Sequence, residues 1–303
     1  VESAGDPILV TAGKSPLVDA AWLREHGADP SLIVFDATVS KTADGEYVSG
    51  RTSFAENGHI PGSRHADLIA DFSDPDAPTP FMRPRPQALE AVARTHGIGS
   101  HSTVVAYDCR GGAWAARLWW LLRAYGHDDV RVLDGGLQSW IAAGGEMEFD
   151  DPAPAAVGDF RTEVRGGYFV DTAEVRALTE SSLLVCGLGR EVFDGREPVA
   201  GRRGHIPGSV NVPYLELLDA QGRVDPDRVR ARFGPLTQHR QLTQHRPVVG
   251  YCGGGINAAG LALALSVAGF TDVQVYDGSL SEWNADPRNP LRYGDTQITV
   301  RPD

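Results

Sequence analysis

The stretch Tyr251-Cys252-Gly253-Gly254-Gly255-Ile256-Asn257-Ala258 carries the residue types best suited to chemistry in this sequence. A cysteine followed by three glycines can sit in a tight backbone cradle, because glycine lets successive N–H groups turn inward. A helix starting at Ile256 would add its positive end to the same spot. Such a cradle stabilises a thiolate able to attack a sulfur or phosphorus centre near neutral pH, and it would equally hold a persulfide anion. The bland alternative is a small apolar cysteine at a buried strand end. Phosphoryl transfer is the weaker chemistry, since a phosphate-gripping cysteine loop closes on an arginine and the matching positions here are Ala258 and Ala115. A Walker loop would need Gly-Lys-Ser/Thr, which is missing.

A second cysteine loop lies opposite the first. Cys109-Arg-Gly-Gly-Ala-Trp-Ala-Ala-Arg117-Leu118 aligns without a gap with Cys252-Gly-Gly-Gly-Ile-Asn-Ala-Ala-Gly260-Leu261. Counted back from the helix, Cys109 matches Cys252; counted forward from the preceding strand, Asp108 does. Cys109 is therefore open between a nucleophile, a resolving or regulatory thiol, and a bystander. Arg117, in a helix start otherwise rich in alanine, could form an ion pair within its own domain or face a cleft between domains. Cys186 lies in a strand and reads as buried and inert. His59 and His205 begin matching Ile-Pro-Gly turns, where a histidine can cap the turn or, for His59, serve the site.

The elements that must hold these residues come in duplicate. Gly58-His59-Ile60-Pro61-Gly62-Ser63 returns as Gly204-His205-Ile206-Pro207-Gly208-Ser209, and HDDVRVLDGGLQSW from His127 returns as FTDVQVYDGSLSEW from Phe270. Each half has three short apolar runs that read as strands: 32–35, 103–107 and 130–133, then 183–186, 247–251 and 273–276. The middle run leads into the cysteine loop and an apolar helix, ARLWWLLRAYG or AAGLALALSVAG. Strands alternating with helices imply an α/β fold with a mainly parallel sheet in each half, flanked by helices and receiving ligands beyond the strands' carboxyl ends. Expected boundaries are a first domain at 8–146, a linker at 147–164, a second, catalytic domain at 165–289 and an irregular tail at 290–303. Trp119, Trp120, Trp140 and Trp283 fit core packing. The echo LTQHRQLTQHR, 236–246, reads as a solvated loop.

Composition narrows the partners. The 303 residues carry 28 Lys and Arg against 40 Asp and Glu, a formal charge of −12, with no basic stripe, so nucleic acid and anionic membrane are poor partners. The most apolar stretch, LALALSVAGF, is about half of a ~20-residue membrane span, and the first residues lack a signal pattern. Three cysteines without metal-ligand spacing suggest neither a disulfide framework nor a zinc site. The expectation is a cytoplasmic protein with reduced thiols and with no metal or organic cofactor.

Taken in order, these segments resemble the tandem-domain rhodanese-like sulfurtransferases, which include thiosulfate and 3-mercaptopyruvate sulfurtransferases. The stretches that carry the resemblance are Leu17-Val-Asp-Ala-Ala-Trp-Leu23, both Gly-His-Ile-Pro-Gly turns, Val104-Val-Ala-Tyr-Asp108, Arg117-Leu-Trp-Trp120, Gly126-His127, Leu133-Asp-Gly-Gly136, the Cys252 loop and Tyr276-Asp-Gly-Ser279. The resemblance implies two rhodanese-like domains, the first silent. In the second, Cys252 takes a donor's outer sulfur as a persulfide and passes it to cyanide or a thiol. It also implies that Gly253, Gly254, Gly255, Ile256, Asn257 and Ala258 form the persulfide-binding loop, that a thioredoxin-like protein can act as reductant, and that His59 and Asp67 are accessory residues. Thiosulfate enzymes resemble Cys-Arg-Lys-Gly-Val-Thr and mercaptopyruvate enzymes Cys-Gly-Ser-Gly-Val-Thr; Cys-Gly-Gly-Gly-Ile-Asn leans toward the second. Two departures stand out: the loop serine is replaced by Gly254, and the Val-Asp-x-Arg that opens the family's second domain is Val185-Cys186-Gly187-Leu188. Arg190, Arg202 and Arg203 are the candidates to supply the missing positive charge. A protein-to-protein persulfide relay, or a redox-regulatory thiol module with little turnover of small donors, is the competing function.

Overall fold

The structure, a computed structural model, describes residues 15–178, 182–239 and 247–294. In the first half the chain runs β1 (Leu17–Val18), α1 (Ala20–His26), β2 (Leu32–Asp36), the antiparallel hairpin β3 (Val39–Lys41) and β4 (Tyr47–Ser49), α2 (Arg51–Asn57) and β5 (Arg64–His65). It continues through α3 (Pro86–Thr95), β6 (Thr103–Tyr107), α4 (Ala113–Ala124), β7 (Val130–Leu133) and α5 (Gly136–Ala142). The second half runs β8 (Phe169–Val170), α6 (Thr172–Ala177), β9 (Leu183–Cys186), α7 (Arg190–Phe193), the hairpin β10 (Pro198–Val199) and β11 (Arg202–Arg203), and β12 (Val210–Asn211). A 3-10 turn (Tyr214–Leu217), α8 (Pro226–His239), β13 (Val248–Tyr251), α9 (Ile256–Val267), β14 (Val273–Tyr276) and α10 (Ser279–Ala285) complete it.

Each half forms a five-stranded sheet of parallel pairs, ordered β1-β7-β6-β2-β5 and β12-β9-β13-β14-β8. These are the same order read from opposite edges, so β6 and β13 are the matching central strands. The apolar runs form strands because residues covered on both faces are mostly apolar, with Arg131 in β7 and Gln274 in β14 as half-buried exceptions. Only Pro247 falls outside its strand, having no N–H to give the ladder.

The helices that follow the central strands make the joint between the halves. All twelve residues of α4, Arg117 and Arg123 among them, and ten of the twelve in α9 are buried, as expected of helices apolar on nearly every side. The two helices lie against each other, and one apolar cluster runs from Phe35 and Val104 in the first sheet through Leu261 in α9 to Val185 and Val248 in the second. Trp119, Trp120, Trp140 and Trp283 are all buried. Close approach is set by Gly260, where a β-carbon would lie 2.7 Å from the ring of Tyr214.

The segment between the halves is irregular yet tied down. Gly158, Phe160, Glu163 and Arg165 donate backbone N–H bonds to Arg94, Ile98, Tyr125 and Ala124, and Phe160 is buried. After α10 the chain returns to pair Arg292 with His205; residues 8–14 of the expected first domain and 295–303 of the expected tail lie outside the described residues. The echo 236–246 departs from the loop expected for it. Helix α8 continues through Pro235 to His239, and 240–246 lie outside the described residues. No helix among the described residues is long and apolar enough to cross a membrane.

Candidate active site

The repeated Gly-His-Ile-Pro-Gly-Ser turn has a structural purpose that explains its duplication. The Tyr251 hydroxyl at the end of β13 accepts the Ile206 N–H at 3.1 Å and bonds Ser209 Oγ at 2.7 Å; Tyr107 does the same with Ile60 and Ser63 at 3.2 and 3.0 Å. His205 stacks on Phe193 at 3.7 Å with Nδ1 2.7 Å from its carbonyl, and His59 stacks on Phe54 at 3.8 Å with Nδ1 3.2 Å from its carbonyl. Both histidines are fully buried and fix the turn against the strand end. The remaining nitrogen of His59 faces Glu148 at 3.7 Å, and none of these contacts reaches the Cys252 loop.

Cys252 leaves β13 with its side chain buried. Ser279 braces the turn: its Oγ accepts the N–H groups of Cys252 and Gly255 at 3.0 and 3.1 Å and donates to the Tyr276 carbonyl at 2.8 Å. The carbonyls of Cys252 and Gly253 accept from Leu280 and Ser281, so α10 clamps the loop from behind. Gly255, at φ 81°, starts α9 in the left-handed region that favours glycine. No described residue accepts from the N–H groups of Gly253, Gly254, Ile256, Asn257 or Ala258. These five N–H groups, four of them at or next to a helix N-terminus, are the donors that this strand end offers to an anion.

The first half shows such a cradle filled. Asp108 leaves β6 as Cys252 leaves β13, and its carbonyl accepts from Leu137 as that of Cys252 does from Leu280. Its carboxylate accepts the N–H groups of Arg110, Gly112, Trp114 and Ala115 at 2.7, 2.9, 3.0 and 3.0 Å. The count from the strand is thus the structural one, and the alignment of Cys109 with Cys252 gives way: the first loop is one residue longer. Cys109 is displaced, its N–H donates to Thr38 Oγ1, and burial together with Asp36 pushes its thiol up to about 11. Burial pushes the Cys186 thiol up to about 12.

The roof over the Cys252 loop comes from the first half. A β-carbon at Gly254, where mercaptopyruvate enzymes place serine, would lie 3.5 Å from Phe81 Cδ2 and 3.6 Å from the Pro80 carbonyl. Phe81 has a φ of 65° and rests edge-on against Trp114 at 5.1 Å and Tyr47 at 5.2 Å. Buried Arg117 crosses from α4 to donate to Asp277 Oδ1 and to the Phe81 carbonyl, each at 2.6 Å. Asp277 Oδ2 accepts the Arg83 N–H at 3.0 Å, with the Arg83 guanidinium 3.9 Å away.

The other candidates are placed elsewhere. Asp67 caps a turn: against the upward push of desolvation, bonds from Ser49 and the Ala70 and Ile69 amides hold its carboxyl below the ordinary value. Arg190 lies beyond β9 on the same sheet edge as the loop, half-exposed, 3.6 Å from Asp194. Arg202 donates to the carbonyls of Asp286 and Asn289, and Arg203 to those of Gly195 and Arg196, so both brace backbone. Sequence reasoning assigned no role to Ser279, Asp277 or Phe81. The repeat holds one usable signal: Arg117, in a helix start otherwise rich in alanine, stands opposite Gly260.

Comparison with known proteins agrees with this architecture. The model of the rhodanese-like domain matches the chain twice, over residues 19–143 and 171–286. A Pseudomonas aeruginosa protein named "Probable 3-mercaptopyruvate sulfurtransferase" is 36% identical over 287 residues, covering 92% of this chain and 98% of that one. The human 3-mercaptopyruvate sulfurtransferase is 32% identical over 286 residues, covering 88% and 91%. The crystal structure of SseA from Escherichia coli, described as a 3-mercaptopyruvate sulfotransferase with the rhodanese fold, superposes with a TM-score of 0.76 at 30% identity, covering 88% and 99%. The chain, with its two parallel sheets and paired strand-end loops, belongs to the rhodanese-like family as a tandem-domain sulfurtransferase.

Proposed function

We propose that this sulfurtransferase works through a persulfide on Cys252, with 3-mercaptopyruvate as its main donor and a thiol or cyanide as acceptor. One observation carries the assignment: five amide donors of the Cys252 loop have no described acceptor, while four amides of the first loop are taken by Asp108. The Cys252 thiolate attacks the donor's sulfur, forming the S–S bond as the S–C bond breaks, and the persulfide carries the negative charge. The electron pair left on carbon takes the proton that the donor's thiol loses, giving pyruvate. With thiosulfate the S–S bond to sulfite breaks instead and no proton moves. Cyanide then takes the outer sulfur as thiocyanate, or a thiolate takes it as a persulfide, and the Cys252 thiolate returns. Gly253, Gly254, Ile256, Asn257 and Ala258 hold the anion through their backbone N–H groups.

The donor preference rests on two supports. The loop offers thiosulfate dianion no cationic side chain of its own, and several relatives are named for 3-mercaptopyruvate. A cytoplasmic setting with a thioredoxin-like dithiol as acceptor fits the three free cysteines. A persulfide relay between proteins is the second reading, favoured by Gly254 in the serine position and by His59 held away from the loop.

Intact-mass measurement after treatment with each donor tests the proposal. The parent should gain one sulfur, about 32 Da, faster with 3-mercaptopyruvate, and Cys252→Ala should gain none while Cys109→Ala loads normally. Loading that survives Cys252→Ala overturns the nucleophile. Failure of both donors on folded, reduced protein favours the relay.

A further inference from the structure

We infer that Arg117 is a positioning residue of the sulfur-transfer site, a buried guanidinium lent by the first half that fixes the start of α9 and supplies counter-charge to the anion on Cys252. This rests on Cys252 carrying the transferred sulfur. Arg117 is 2% exposed, yet its Nη1 has no hydrogen-bond partner among the described residues while Nη2 serves Asp277 and Phe81. The unpartnered nitrogen lies against the Cys252 loop: a β-carbon at Gly255 would sit 3.1 Å from it and 2.7 Å from the Asp277 carbonyl.

A purely structural tie between domains accounts poorly for this arrangement. An ion pair with a spare buried donor is a costly way to join two apolar helices, and apolar side chains of similar volume would hold them at least as well. The two cations at Asp277 are not equivalent. The Arg83 guanidinium is half-exposed and 3.9 Å from Asp277, where solvent screens it, whereas Arg117 is buried and is the one that lies against the loop.

The internal repeat supplies a control. Gly260 takes the place of Arg117 in α9, and its space is filled by Tyr214, whose neutral hydroxyl donates to the Gly111 carbonyl of the first loop at 2.7 Å. The loop with a permanent carboxylate already satisfied by four amides is backed by a neutral phenol. The loop built for a transient anion is backed by a cation.

The test compares Arg117→Met, Arg117→Lys and the double variant Arg117→Met with Asp277→Asn. Each is read by melting temperature, by the rate of iodoacetamide alkylation at Cys252 at neutral pH, and by sulfur loading from 3-mercaptopyruvate. Removing both charges together leaves no unpaired buried ion, so the double variant should melt near the parent. It should nonetheless alkylate and load about tenfold slower. A folded double variant as fast as the parent overturns the inference. Between the single variants, Arg117→Lys should keep most of the rate that Arg117→Met loses; equal losses in both overturn the charge role even where the double variant does not fold. Alkylation does not depend on a sulfur donor. A parent that alkylates at Cys252 but loads no sulfur therefore refutes the proposed function, while the alkylation comparison still decides on Arg117.

Discussion

Ser279 holds a φ of 50°, a backbone conformation that an L side chain adopts at a cost of roughly 1–3 kcal/mol. Its counterpart Gly136, at φ 58°, adopts nearly the same angle without that cost. The difference follows from what the side chain does: the Ser279 hydroxyl takes the N–H groups of Cys252 and Gly255, two donors that would otherwise be buried without an acceptor. In the first half Asp108 organises the loop from within, so no hydroxyl is required. Ser279→Ala should keep the strain and lose the brace, lowering stability by about 2–3 kcal/mol in urea denaturation. Ser279→Gly loses the brace but relieves the strain, so it should be roughly 1 kcal/mol more stable than Ser279→Ala. Both should load sulfur onto Cys252 several-fold more slowly because the loop is no longer held. A glycine variant less stable than the alanine variant would contradict the strain account.

Helices α4 and α9 do two jobs at once, presenting N-terminal amides to the two loops and closing the joint between the halves. Their approach depends on Gly260, because a β-carbon there would press 2.7 Å from the Tyr214 ring. Tyr214 is fully buried and bonded to the Gly111 carbonyl, so it has little room to yield. Gly260→Ala should therefore destabilise by about 1–3 kcal/mol through overpacking, although alanine is the better helix former by roughly 1 kcal/mol. A thermal melt unchanged or raised in Gly260→Ala would show that the interface relaxes. The elements themselves were largely legible in the sequence, since β2, β6, β9 and β13 are mostly apolar runs, β7 and β14 are interrupted only by Arg131 and Gln274, and the cysteine loop announces itself by three glycines. The identity of the residue at the head of the first loop was not, because counting from β6 and from α4 gives Asp108 and Cys109, and only the backbone path decides. Helix α8 was not read at all: the echo from Leu236 reads as a loop, yet the helix runs from Pro226 through Pro235 to His239. The left-handed Ser279 leaves no trace in residue order.

At the scale of the molecule, the partners that matter most are far apart in sequence. Arg117 and Asp277 are 160 positions apart and Arg83 and Asp277 are 194, so neither pairing could be read without the fold. They link the halves where the chemistry lies, over an apolar cluster that runs unbroken from one sheet to the other. A shared core should make two homologous domains unfold as one, since separating them would expose the largely apolar faces of α4 and α9 that now meet. Tryptophan fluorescence reports mainly on the first half through Trp22, Trp114, Trp119, Trp120 and Trp140, whereas alkylation of Cys252 reports on the second. Followed together through a urea titration, the two signals should share one midpoint, with a slope fitting loss of the whole folded surface. A second half that exposes Cys252 at lower urea than the fluorescence change would instead make it an independently stable unit. The roof of Phe81 and Arg117 would then be a contact that opens during turnover rather than part of a single rigid site.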